Sequence, residues 1–90
     1  MSRDPELYLA DIEESCRLIL DYTAGLPAAQ FCGDRKTVDA VVRNLEIIGE
    51  AAKHLPAAMT RSRGDVDWRR IAGLRDALIH PYFGVDLDIV

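Results

Sequence analysis

Between Asp34 and Pro56, apolar or small residues recur at Val38, Val41, Val42, Leu45, Ile48, Gly49, Ala52 and Leu55. Steps of three and four lay one stripe along a helix and make no regular face on a strand. Asp34 can accept hydrogen bonds from the unpaired N–H groups of the first turn, and Pro56 closes the segment. Gly49 in mid-helix costs about 1 kcal/mol relative to alanine, so the close approach of another helix is expected there. A second stripe, Tyr8, Leu9, Ile12, Cys16, Ile19, Leu20 and Thr23, lies between the Asp4-Pro5 start signal and Gly25. It predicts a helix over 5–24, roughly 30 Å long. A third helix starts at Asp67 and carries Trp68, Ile71, Leu74 and Leu78. It stops near residue 79, because His80 precedes Pro81 and a residue before proline is pushed out of the helical region. Residues 28–33 read as a loop, and 57–60 as a short helical turn within a polar stretch.

No run alternates with period two over strand length, and there is no Asn-Gly or Asp-Gly turn, repeat or low-complexity tract. The expected fold class is therefore all-α: an antiparallel helical bundle of three to four main helices, one domain over 1–90. Ninety residues make a thin core, which a partner subunit would thicken. Asp86-Leu87-Asp88-Ile89-Val90 starts another amphipathic segment. Either a final helix lies beyond this sequence or a partner covers the exposed face. No apolar run approaches membrane-spanning length and the first residues resemble no secretory leader, so the cytoplasm is the expected location. Cys16 and Cys32 have neither CxxC nor Cys/His spacing, and are expected to be buried or half-buried thiols with no metal or cofactor role.

The net charge of −4 argues against holding nucleic acid by general electrostatics. The average hides an asymmetry. Residues 1–50 carry five basic and ten acidic side chains, and residues 51–90 carry six and five. Between 61 and 75, Arg61, Arg63, Arg69, Arg70 and Arg75 are opposed only by Asp65 and Asp67. These arginines form either a solvated face or the place where phosphate is held; Arg61, Arg63, Arg69 and Arg70 are the candidates for RNA contact.

The run from Arg75 to Asp86 gathers a guanidinium, an imidazole and a phenol. Arg75 and His80 are five residues apart, about 140° round an ideal helix, so only a break before Pro81 could bring them together. Histidine titrates near neutral pH and can take or give a proton. Arginine suits the extra charge of a pentacoordinate phosphoryl transition state. Together they are what cleavage of RNA through its 2′-hydroxyl requires, without a metal. One histidine cannot easily serve the attacking and leaving oxygens in one step, and a two-fold dimer would supply a second. The plainer alternatives are a histidine that bonds the last helix carbonyls, Tyr82 and Phe83 as packing residues, and Asp76 paired with Arg75 or Arg70.

Arg75-x4-His80-x-Tyr82, within Ile71-Ala72-Gly73-Leu74-Arg75-Asp76-Ala77-Leu78-Ile79-His80-Pro81-Tyr82-Phe83-Gly84-Val85-Asp86, resembles the R-x4-H-x-Y block of the HepT-like HEPN family. Arg43-Asn44-Leu45-Glu46-Ile47-Ile48-Gly49-Glu50-Ala51-Ala52 is similar to that family's second-helix motif. The resemblance implies a homodimeric toxin ribonuclease with Arg75 and His80 catalytic and Asp76 and Tyr82 supporting. It also implies a minimal nucleotidyltransferase antitoxin that adenylylates Tyr82. The alternative is a non-catalytic helical partner that presents a substrate to such a transferase. Family sequences usually run past the position of Val90 into a further helix. Outside the motif, His54 reads as a surface residue at a helix end, and Glu46 and Glu50 as interface or solvated residues. Arg43 is expected to pair with one of those glutamates or to reach RNA or a second copy.

Overall fold

The computed structural model describes residues 4–73, 79–80 and 84–85. Among them are five helices and one short strand pair: α1 (Pro5–Thr23), α2 (Ala28–Gly33), α3 (Arg35–Lys53), α4 (Ala57–Arg61), α5 (Trp68–Ala72), β1 (Ile79–His80) and β2 (Gly84–Val85). The fold is an all-helical bundle in which α1 lies along α3, and α2 and α5 also pack on α3. None of the described helices is long and apolar enough to cross a membrane.

The expected caps are in place. Asp4 accepts from the Glu6 N–H at 2.9 Å and Asp67 from the Arg70 N–H at 3.2 Å. Asp34 accepts from both the N–H of Thr37 at 3.2 Å and its hydroxyl at 2.8 Å. These contacts hold the Asp34 carboxyl below its ordinary pKa, the hydroxyl bond first and the backbone N–H next. Gly25 turns the chain with φ 68°, a conformation that favours glycine.

The core sits on α3. Val38, Val41, Val42, Ile48, Ala51 and Ala52 are buried, as is Gly49. Each buried Val or Ile contributes about 1.5–3 kcal/mol over leaving it in water. Asn44 is buried too, and its amide donates to the Ala40 carbonyl at 2.9 Å, so it is satisfied within its own helix.

Four expectations are corrected. Residues 28–33 form the helix α2, not a loop: Pro27 sets the extended entry, the Phe31 N–H reaches the Pro27 carbonyl at 2.9 Å, and α2 packs on α3. On α1 the buried residue is Ser15, whereas Cys16 is exposed and Leu20 is 69% exposed. Tyr8, Leu9, Ile12, Ile19 and Thr23 of the expected stripe are half-buried, and the inner face extends past them towards Asp11, Ser15 and Leu18. Both thiols, Cys16 and Cys32, are exposed instead of covered. Lastly, two strands exist where none was expected, although each is only two residues long. Leu74 and Leu78, expected on the third main helix, lie outside the described residues, as do Arg75, Asp76, Tyr82 and Phe83.

Candidate functional site

His80 is described through its backbone. Ile79–His80 runs antiparallel to Gly84–Val85, with Ile79 opposite Val85 and His80 opposite Gly84. Extended backbone at 79–80 is what proline at 81 demands of the residue before it. The chain is therefore out of helix at the position where the R-x4-H pattern needs a break.

The basic segment leading to that run is open to solvent. Arg61, Arg63, Arg69 and Arg70 are all exposed. The Arg70 guanidinium meets Asp67 at 3.5 Å. Such an exposed pair is worth little, so the arginine can leave it for a phosphate. Arg61, Arg63 and Arg69 form no ion pair with any described residue. Trp68 is fixed beneath this segment by its indole N–H, which donates to the Arg63 carbonyl at 3.1 Å.

A second feature was not expected as a unit. Between α1 and α3 lies an open cleft of about 430 Å³, bounded by Tyr8, Asp11, Arg43, Glu46, Glu50 and His54. Ile47 and Ala51 add apolar surface. The Tyr8 and His54 rings stack, with centroids 4.7 Å apart and planes 12° apart. His54 also caps α3, its N–H bonded to the Ala51 carbonyl at 3.1 Å, so the imidazole is tethered at one end by the helix and at one face by Tyr8.

The charges in this cleft differ from the expected pairing. Glu50 takes Lys53 at 3.3 Å instead of Arg43, and no ion pair links Arg43 or Glu46 to any described residue. Sequence reasoning had joined Arg43 with Glu46 or Glu50 along the helix and left His54 apart. The signal that unites them is their own spacing of three and four along α3, nearly opposite the buried stripe. Tyr8 and Asp11 come from a distant part of the chain, and no local pattern announces them.

A family description, ribonuclease HepT-like, matches residues 12–90. A protein of Thermococcus cleftensis named "Probable ribonuclease HepT" is 44% identical over 90 residues, covering all of this chain and 82% of that one. A protein of Methanocaldococcus jannaschii named "Putative RNase" is 42% identical over 88 residues, 98% of this chain and 73% of its own. One of Caldanaerobacter subterraneus, named in the same way, is 41% identical over 88 residues, 98% of this chain and 79% of its own. No solved structure matches the chain.

Proposed function

The chain belongs to the HepT-like ribonuclease family, and on that premise we propose that it is an endoribonuclease toxin whose active centre is shared by two copies of the chain. The observation that carries this reading is the Arg75-x4-His80-x-Tyr82 run inside the family-matched residues, with helix already ended at His80.

In this reading one His80 takes the proton of the ribose 2′-hydroxyl, whose oxygen attacks the adjacent phosphorus. The second copy's His80 gives a proton to the departing 5′ oxygen. The products are a 2′,3′-cyclic phosphate and a free 5′-hydroxyl. The two Arg75 guanidinium groups hold the charge that builds on the phosphoryl oxygens, so that metal is unnecessary. Asp76 orients one of these groups. Arg61, Arg63, Arg69 and Arg70 supply the phosphate contacts upstream; their exposure supports the assignment. All of residues 1–90 serve as one domain acting on cytoplasmic RNA. Tyr82, two residues beyond the histidine, is the point of control: a minimal nucleotidyltransferase antitoxin adenylylates its hydroxyl, adding bulk and negative charge where phosphate must enter.

The experiment is cleavage of labelled RNA by the wild type, Arg75→Ala and His80→Ala, each with EDTA and with helical content followed by circular dichroism. Both variants should lose cleavage and keep the helical signal, and wild-type activity should survive the chelator. Cleavage retained in both variants would remove the assignment. Cleavage by neither wild type nor variants, with stable binding to a nucleotidyltransferase, would favour the non-catalytic partner instead.

A further inference from the structure

A different cleft, of about 360 Å³, lies between α1 and the stretch 55–68, and its described walls combine apolar surface with two charges of opposite sign. Leu9 and Met59 supply aliphatic surface and Trp68 an indole, all three half-buried. Glu13 stands on the α1 side and Arg63 on the other. Neither forms an ion pair with any described residue. Arg17, one turn along α1 from Glu13, is already held by Glu14 at 2.6 Å and Asp21 at 2.8 Å. The indole N–H of Trp68 is taken by the Arg63 carbonyl at 3.1 Å, which fixes the ring and leaves its π surface for a ligand.

We propose that this cleft receives one unstacked base of a single-stranded RNA, guanine in preference to the others, while Arg63 and the exposed Arg61 and Arg69 hold the adjoining phosphates. The cavity falls within the range of about 300–1,000 Å³ that small-molecule sites occupy. Unpaired RNA bases are recognised by stacking on aromatic rings and by hydrogen bonds to their Watson–Crick edge. A carboxylate only accepts hydrogen bonds, so Glu13 selects an edge that donates. Guanine alone presents two donors side by side, its N1–H and its N2 amino group, which match both carboxylate oxygens. Uracil sets its N3–H between two acceptors, and adenine and cytosine each set an acceptor beside their amino group.

The two charges favour a nucleotide over an apolar occupant. A hydrophobic segment laid over the cleft would strip water from Glu13 and Arg63 and give neither a partner, at a cost in free energy. A nucleotide brings an anion to the guanidinium and N–H donors to the carboxylate. Arg61, Arg63 and Arg69 are exposed and form no ion pair with any described residue, so phosphates displace nothing there. The proposal rests on the ribonuclease reading and adds what that reading lacks, a means of choosing where along an RNA the chain binds.

Trp68 is the single tryptophan of the chain, so its fluorescence reports on the cleft directly. The probes are short labelled oligouridines with 2′-O-methyl riboses, which block attack by the 2′ oxygen, one all uridine and one with a central guanosine. Each is titrated against the full chain, with label anisotropy as the readout for the variants. The guanosine probe should quench Trp68 and bind at least about fivefold tighter than the all-uridine probe. Glu13→Ala should bring the two probes to the same affinity, and Arg63→Gln should weaken both alike. Both positions are exposed, so the helical signal should stay. Trp68→Ala should weaken the guanosine probe at least about fivefold, and Trp68→Phe, which keeps a ring, should recover most of the loss. Equal binding of the two probes by the wild type, or a guanosine preference that survives Glu13→Ala, overturns the proposal. A wild type that cuts RNA without that preference overturns the base site alone. One that prefers the guanosine probe yet cuts no RNA overturns the ribonuclease reading and leaves the base site standing.

Discussion

The helices α1 and α3 are each 19 residues long and lie against one another, yet α3 buries eight residues and α1 only Ser15. Length does not account for the difference, since the two are equal; α3 is the more strongly amphipathic helix, and its position adds to that. α3 receives α1, α2 and α5, so its core face is covered from several directions, whereas α1 packs chiefly on α3. Leu7, Leu20 and Tyr22 on α1 are left 48%, 69% and 42% exposed. A helix of this bundle is stabilised by how many neighbours use it, and α3 is the element on which the rest is assembled.

Substitutions that break this contrast differ in size. Ile48→Ala on α3 should cost about 2–4 kcal/mol, through lost transfer energy and the cavity left behind, read from the urea midpoint at constant slope. Ser15→Leu probes the one site where α1 is packed as tightly as α3, and should cost about 1–3 kcal/mol by overfilling it. Leu20→Ala should change stability by less than about 0.5 kcal/mol, since most of that side chain is already in water. A loss at Leu20 comparable to that at Ile48 would mean that the outer face of α1 is covered in solution and the contrast belongs to the isolated chain.

The start of α3 gives a pH-dependent counterpart. The carboxyl of Asp34 titrates below its ordinary value in the folded chain. Its contribution is therefore complete above the ordinary aspartate range and is lost as pH falls through the lowered value. The wild-type urea midpoint should fall in acid more steeply than that of Asp34→Asn, and equal slopes would show that the Thr37 contacts do not persist in solution.

What the sequence disclosed follows from the same physics. Both long helices, all three aspartate caps and the turn at 57–60 are local events, set by residues within four positions of each other, and they were legible. α2 was not, because Pro27 and Gly33 read as breakers while the contact with α3 that stabilises Ala28–Gly33 is tertiary. Cys16 and Leu20 were misplaced for a related reason. A stripe seven residues wide fits α1 at more than one rotation, and only the partner surface selects the one that buries Ser15. At the candidate site, the extended backbone at His80 follows from Pro81, whereas α5 is described only to Ala72. The Tyr8–His54 stack joins residues 46 positions apart and has no local signature. Arg75, Asp76 and Tyr82 rest on the motif and on family membership.

The central claim is that each active centre needs both copies of the chain. Mixing wild type with His80→Ala at equal amounts, allowing subunits to exchange, and measuring RNA cleavage at constant total protein tests it directly. If a mixed pair is inactive because the second histidine is missing, about a quarter of wild-type activity should remain, the fraction of pairs with both subunits wild type. A value of about one half, falling in proportion to the wild-type share, would show that each protomer cuts RNA by itself and would contradict the account.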